Sequence, residues 1–498
     1  MMKFKTYILS GLIAATAWSC EDFLDLKPIS SETTASAYTK LSQIEAALTG
    51  TYASFQADAY VWNNVQFQDV RSDNHYAGGD NASIYEMDYL KISTTNDKVY
   101  QSWSNIYNAI LKANIVMERV EEVTDPQLTE TRRDQIRGEA LFLRAYNYYN
   151  LVNLFGGVPL VLDATTSTDP GVVNKPRSTT EEVFAQIITD LEEATTLLPD
   201  TYGNDASINK ARATAGAAWA LMAKAYAQKP TPDYNKVLDC IAEVEASDAN
   251  YKLIDYTYLF DGAHYNNEES ILEVQWIAGA DGNWGPQLLL PPSISGDTWR
   301  KFITPSKDLL AAFESEGDEI RKNTTILFEN VSWIDEYYGI AEPTSDNPKP
   351  NNVAFGYKWK NAAGWSSGDR QYLLRFGDIV LLKAEALNET NQLDKAVIEV
   401  NRIRNRVDLP ELTADQKSSK EVLKSTILKE RRLELAQEAQ RWDDLVRYGV
   451  VVETMNNLNE IDLRTGQAVD YNMTEAKILL PIPQQELDRN PALVQNPL

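Results

Sequence analysis

Apolar residues recur at helical spacing along much of this chain. The clearest run places apolar side chains three and four positions apart, at Leu393, Ala396, Val397, Val400 and Ile403. Positions with this spacing share one face of an α-helix. The pattern predicts a mainly α-helical protein in which each helix buries one face against its neighbours.

Two stretches of the chain repeat the same pattern. The sequence around Ala225 aligns without gaps on the sequence around Ala384, and each predicts an alanine-rich helix, a short turn and a second helix. A further alanine-rich helix is indicated around Ala145. Such helix pairs resemble tetratricopeptide repeats. Because they lie far apart in the sequence, they can stack only if the residues between them loop out.

The longest such excursion is predicted at about residues 256–370, where tryptophans occur among glycine, proline, asparagine and aspartate with a few strand-like runs. Nothing rich in Gly/Ser or Pro divides the chain as a linker would. We therefore expect a single domain over 20–498, with a helical scaffold at about 20–255 and 371–498. The partly β, loop-rich insertion is expected to face a ligand, because loops on a rigid scaffold usually carry recognition.

The N-terminus has the pattern of an export signal. Lys3 and Lys5 precede an apolar run from Tyr7 to Trp18, and Cys20 follows after Ser19. The run is too short to span a bilayer comfortably, and its flanks are those of a secretory signal. We expect residues 1–19 to be removed and Cys20 to be lipidated. Ordinary secretion, with a cysteine at this position by chance, is the alternative.

Composition narrows the classes of partner. Lysine and arginine number 47 against 72 aspartate and glutamate, a formal net charge of −25. A nucleic-acid partner is not expected, because affinity for phosphates requires a basic surface. The only histidines are His75 and His264, which argues against imidazole triads and zinc sites. We predict no catalytic residue, no cofactor and no metal site.

Several short blocks of the sequence form a recognisable set, at residues 20–28, 137–146, 154–159, 375–388, 430–438, 441–445, 480–483 and 495–497. Together these blocks resemble the SusD/RagB family of outer-membrane nutrient-binding lipoproteins. The chain departs from the family pattern at Ala439, between two of the blocks, where the family commonly has glycine.

The resemblance implies a cell-surface lipoprotein that captures oligosaccharides and delivers them to a SusC-like TonB-dependent transporter. It also implies attachment to the outer membrane through a lipid anchor, and binding rather than catalysis. Two alternatives remain open on the residues alone. A glycoside hydrolase needs only two suitably placed carboxylates, and a tetratricopeptide-type lipoprotein would bind a peptide or protein in a groove on its repeats.

A sugar ring presents an apolar face and a rim of hydroxyls, so its site needs flat aromatic rings with polar groups at their edge. Two neighbourhoods fit, around residues 61–85 and 283–300, and a third surrounds residue 333. For each aromatic ring, packing beneath a loop is the alternative role. The expected glycan contacts are Trp62, Asn63, Asp73, Asn74, Tyr76, Tyr85, Trp284, Trp299, Arg300 and Trp333.

The block from Glu430 to Leu445 is interpreted as structural. Helical spacing places Trp442 on an apolar face with Leu435 and Ala439, which predicts a core role for the indole. The same spacing predicts helical ion pairs between Glu434 and Arg431 and between Glu438 and Arg441.

Overall fold

The computed structural model describes residues 38–498 except 166, 280, 334, 336 and 339–351. The signal segment and Cys20 lie outside the described residues. Most of the described chain is helical, as the apolar spacing predicts. The helices are α1 (Leu41–Tyr52), α2 (Ala82–Asp88), α3 (Asp97–Glu122), α4 (Glu130–Phe155), α5 (Pro170–Val173), α6 (Thr180–Leu197), α7 (Ala206–Ala211), α8 (Ala215–Gln228), α9 (Tyr234–Ala246), α10 (Gly285–Leu289), α11 (Pro292–Ser295), α12 (Lys307–Glu316), α13 (Glu319–Thr325), α14 (Phe376–Glu389), α15 (Leu393–Asn405), α16 (Lys420–Leu435), α17 (Arg441–Arg447), α18 (Val451–Asn457) and α19 (Gln484–Arg489).

The strands of the described chain form antiparallel pairs. Tight helical turns connect several elements, and two π-helical turns, Ala59–Asn63 and Gln66–Val70, lead into the first strand. The pairs are β1 (His75–Ala77) with β3 (Ile303–Pro305), β2 (Ser270–Val274) with β6 (Gln371–Arg375), β4 (Ile326–Asn330) with β5 (Asn352–Gly356), and β7 (Ile461–Asp462) with β8 (Gln467–Ala468).

The aligned repeats are two helix pairs, as predicted. Ala225 lies in α8, which packs on α9, and Ala384 lies in α14, which packs on α15. Ala225 and Ala384 are both fully buried. Their small side chains let the paired helices approach closely.

One large apolar cluster joins the scaffold to the predicted insertion. It extends from Ile44 in α1 to Leu493 near the C-terminus and includes Trp276 and Leu289. Each fully buried large apolar side chain contributes about 1.5–3 kcal/mol. The region at 256–370 is less irregular than expected, because it also contains helices α12 and α13. The boundaries of the insertion between the scaffold segments, at residues 255 and 371, stay predictions.

The block from Glu430 to Leu445 is not one helix, so the predicted shared face is wrong. Helix α16 ends at Leu435, and the chain turns through Gln437, with φ 67°, and Ala439, with φ 56°, before α17 begins. A left-handed conformation costs a residue with a Cβ about 1–2 kcal/mol. This cost explains why glycine suits position 439.

The two predicted ion pairs of this block do not form. Arg375, at the end of β6, instead donates to both carboxylates, to Glu434 at 2.7 Å and to Glu438 at 2.8 Å. Arg431 and Arg441 have other carboxylate partners. Sequence spacing reports only neighbours on the same helix, and a buried arginine from another element occupies these oxygens here.

Candidate functional site

The pairing of β1 with β3 brings two of the expected neighbourhoods together. Tyr76 lies opposite Thr304, and the Gly78 amide donates to the Phe302 carbonyl at 3.0 Å. A Cβ on Gly78 would lie 2.1 Å from the Lys301 carbonyl oxygen, so only glycine allows this approach. The loop before β3 is thereby held against the segment that follows β1.

An open hollow of about 630 Å³ lies where these segments meet. Its walls come from the loop after β1, the start of α2, the loop before β3, the segment around residue 333 and the β7–β8 hairpin. The lining residues are Gly79, Asp80, Tyr85, Trp299, Arg300, Phe302, Trp333, Leu463 and Arg464.

Trp299 supplies a partly exposed ring to the hollow. Its centroid lies 5.2 Å from that of Phe302, and the Lys301 ammonium lies 4.0 Å from the indole centroid. A cation over an indole is attracted to the electron-rich face of the ring. The ring is therefore held in place while part of it stays exposed to solvent.

Tyr85 and Arg464 form another part of the lining. The Tyr85 hydroxyl donates to the Gly79 carbonyl at 2.8 Å, which fixes the ring. The Arg464 guanidinium lies 4.7 Å from the Tyr85 centroid and 5.1 Å from that of Tyr89. Asp462 accepts a hydrogen bond from the Arg464 amide at 2.8 Å and orients the hairpin.

Trp333 provides an unsatisfied donor. Its ring is partly buried against Val331, Val353 and Phe355. Its Nε1 is buried and has no hydrogen-bond partner among the described residues. A buried donor without a partner costs about 1–3 kcal/mol, so a ligand hydroxyl or a water that reached it would be stabilised.

The chain matches known families over most of its length. A family model described as starch-binding and associating with the outer membrane matches residues 22–227, and the SusD family model matches residues 268–498. The chain belongs to the SusD/RagB family. Within this family it is 26% identical to SusD-like protein P38 of Formosa agariphila, over 100% of this chain and 99% of the relative.

Solved structures confirm the mainly α SusD/RagB fold. A SusD superfamily protein from Bacteroides vulgatus has a TM-score of 0.77 at 23% identity, covering 92% of this chain and 99% of that one. A laminarin-binding SusD-like protein has a TM-score of 0.74 at 27% identity, covering 92% and 100%. In the described part of this SusD/RagB chain, every helix is too short or too polar to span a bilayer.

Four of the ten expected contacts, Tyr85, Trp299, Arg300 and Trp333, line the hollow of this SusD/RagB protein. The other five expected contacts between residues 61 and 85 are at most 5% exposed and do not line the hollow. Tyr85 is also only 5% exposed, but it does line the hollow. We therefore assign the five side chains, but not Tyr85, to the core rather than to the site. They are Trp62, Asn63, Asp73, Asn74 and Tyr76.

Asp73 and Asn74 anchor the block that begins at Glu430. Arg441 donates to both carboxylate oxygens of Asp73 at 2.7 Å, and Arg432 donates to the Asn74 amide oxygen at 2.9 Å. Burial alone would raise the pKa of Asp73, but the charges of Arg432 and Arg441 outweigh it and lower the pKa to about 2. Both side chains have their polar atoms engaged inside the protein.

The remaining residues of the early neighbourhood pack against other side chains. Asn63 donates to the Ser102 hydroxyl at 3.1 Å, and Tyr76 stacks on Tyr337 with centroids 3.8 Å apart. The ring centroids of Trp62 and Trp284 lie 6.2 Å apart. Trp284 is half-buried against the main core and does not line the hollow. Aromatic density alone did not separate these packed rings from those that line the hollow.

Sequence reasoning missed the hairpin wall, Leu463 and Arg464. These residues lie almost 400 positions beyond Tyr85, in a short polar segment with no repeated pattern and no tryptophan. Gly466, with φ 67°, lies in a turn. A turn signal in the sequence does not predict which distant residues the hairpin contacts.

Glu460, at the base of this hairpin, makes stability depend on pH. Its carboxylate accepts from the Tyr337 hydroxyl at 2.9 Å, and burial raises its pKa to about 7. In the unfolded chain the carboxyl titrates near 4.3. Between these values the folded chain binds the extra proton, so this group lowers stability as pH rises towards 7.

Glu460→Gln is therefore expected to raise the free energy of unfolding at pH 8 by about 1 kcal/mol or more. The gain should vanish near pH 4, where both states are protonated. Urea unfolding across this pH range measures it. Glu453→Gln, at an exposed position of α18, is the matched control and should change little. Equal gains at pH 4 and pH 8 would contradict the assigned pKa.

Proposed function

We propose that this chain is a glycan-binding lipoprotein that captures oligosaccharides in the hollow beside Trp299. The observation that carries the proposal is the meeting of four aromatic rings with two arginines in one open hollow of about 630 Å³. Rings can stack on the apolar faces of sugars, and guanidinium groups can donate to hydroxyls. The laminarin-binding relative supports a carbohydrate as the ligand class.

The geometry favours modest affinity. Two stacked rings and several hydrogen bonds, each contributing about 1 kcal/mol net, must offset the entropy lost on association. We expect dissociation constants of roughly millimolar to micromolar. Weak binding suits capture and release, because a tight complex dissociates slowly.

A hydrolase is supported less well by the hollow. Hydrolysis of a glycosidic bond needs two carboxylates on either side of it. Among the described residues that line the hollow, Asp80 is the one carboxylate. A peptide-binding groove on the repeats is also less well supported. The two helix pairs contact each other through α9 and α14, and the hollow is lined mainly by loops instead.

We further propose attachment to the outer membrane through Cys20 and transfer of the sugar to a SusC-like TonB-dependent transporter. The family model that matches residues 22–227 is described as associating with the outer membrane, which supports this location. High local concentration beside a transporter compensates for weak capture.

Binding can be tested with the chain from Glu21, because the core cluster begins only at Ile44. Tryptophan fluorescence and calorimetry against a panel of oligosaccharides should detect at least one ligand. Chromatography of the same mixtures should show no shorter products. Sustained release of shorter products would instead favour a hydrolase, and no binding by any member would contradict glycan capture.

Cys20→Ala tests the anchor. We expect the variant to appear in the soluble periplasmic fraction, because one acyl chain or none gives only weak membrane attachment. Immunoblots of fractionated cells measure this. Substituting the buried Cys240 by alanine is the control and should leave the protein in the membrane fraction. Retention of the Cys20→Ala protein in outer membranes would indicate a different anchor.

A further inference from the structure

The arginines of the hollow already have carboxylate partners. Arg300 lies 3.1 Å from the Asp335 carboxylate, whose side chain is fully buried. Arg464 lies 3.4 Å from the Asp462 carboxylate, which also accepts from its backbone amide. Asp80 adds a further carboxylate to the lining of the hollow.

The cation beneath Trp299 is also paired. The Lys301 side chain is fully buried and lies 3.2 Å from the Asp297 carboxylate. It also donates to the Gln287 carbonyl at 2.9 Å and the Ser295 hydroxyl at 3.0 Å. Its charge and its donors are thus satisfied within the protein.

Further carboxyl groups lie close to Tyr85, one of the residues that line the hollow. Asp88 is buried next to the segment of Tyr85, and its carboxylate accepts from the Ala77 amide at 2.9 Å. Burial, together with the negative charges of Glu460 and Asp462, holds the pKa of Asp88 well above its ordinary value. Burial is the main cause of this shift, and the smaller part due to Glu460 and Asp462 reflects negative charge close to Asp88.

Granting that the hollow is the glycan site proposed above, we propose that it selects uncharged oligosaccharides over glycans that carry carboxylate or sulfate groups. An anionic ligand would have to compete with Asp335 and Asp462 for the guanidinium groups. Displacing Asp335 would leave a buried carboxylate unpaired, which is strongly unfavourable. Sugar hydroxyls avoid this cost, because they need not displace either carboxylate. A guanidinium has five N–H donors, and the ion pair of Arg464 with Asp462 uses only some of them.

A panel divided by charge tests the selection. The neutral half contains oligomers of starch, laminarin, xylan and mannan; the acidic half contains oligogalacturonate, alginate oligomers and sulfated laminarin oligomers. We expect binding only in the neutral half, lost in Trp299→Ala, with less than about a twofold change in affinity on raising the salt to roughly 0.5 M. Binding of an acidic oligomer that depends on Trp299 would overturn the selection but leave glycan capture intact. Absence of any Trp299-dependent binding would overturn both.

Removing a carboxylate should relax the selection. Asp335→Asn removes one carboxylate partner of Arg300, and we expect affinity for oligogalacturonate to rise by about tenfold or more and to fall again with added salt. Asp239→Asn, on the remote helix α9, changes net charge equally and is the matched control. Asp80→Asn, at an exposed position, should also raise the affinity for oligogalacturonate. It provides a second test in case the Asp335→Asn protein, with its buried substitution, does not fold. If neither Asp335→Asn nor Asp80→Asn gains acidic binding over Asp239→Asn, the charge balance does not set the selection.

Discussion

Replacing Trp442 by alanine is expected to lower the free energy of unfolding by about 3–5 kcal/mol, the range for buried aromatic side chains. The residue is 2% exposed and packs with Leu445 and Met455. The Arg71 guanidinium lies 4.0 Å from its ring centroid, and its Nε1 donates to the Ile478 carbonyl at 3.2 Å. The substitution removes apolar contacts, a cation–π contact and a hydrogen bond together.

Urea unfolding of the two proteins measures this loss. The matched control is Trp365→Ala, since Trp365 is 49% exposed. That substitution should change stability by less than about 0.5 kcal/mol, as is usual for surface positions. An unchanged unfolding midpoint for Trp442→Ala would refute the core assignment.

Removing the rings of the hollow is expected to weaken glycan binding. The loss of stability should be small for Trp299 and moderate for Trp333, whose ring packs against Val331, Val353 and Phe355. Trp299→Ala and Trp333→Ala should each raise the dissociation constant about tenfold, and the double variant about a hundredfold, because each lost stacking contact is worth about 1–1.5 kcal/mol. Calorimetry with the best oligosaccharide from the panel measures the effect. Thermal unfolding of the same samples checks that the fold is kept.

Trp284→Ala separates the hollow from the other tryptophan-rich loop. Trp284 contacts Trp62 and the core outside the hollow, so its loss should reduce stability and leave affinity unchanged. If affinity instead depends on Trp284 and not on Trp299 or Trp333, the sugar binds at the other loop.

The helical scaffold was predictable because its signal is local. The spacing of Leu393, Ala396 and Val400 and the alignment of Ala225 with Ala384 report helix pairs directly, and both pairs are present. The turn at Ala439 was not predictable in this way. The residues around it are good helix formers, and tertiary contacts such as the Ala439 amide to Asp69, at 3.0 Å, override that preference.

The hollow was predictable only in part. Tryptophans at 299 and 333 stood out by composition, but whether a ring faces solvent or core depends on which strands pair. The pairing of Tyr76 with Thr304 spans more than 200 residues, and no local pattern reports it. The same pairing that brings Trp299 to the hollow leaves Tyr76 beneath it, stacked on Tyr337.

The β7–β8 hairpin joins the body through a narrow base, where the Val469 amide donates to the Glu460 carbonyl at 2.9 Å. Lengthening a surface loop costs little, about 0.6 kcal/mol for each doubling of its length. The hairpin could therefore be lengthened or shortened at this point without rebuilding any helix. Exchange of this one segment would reshape one wall of the hollow while the helical scaffold stays as it is.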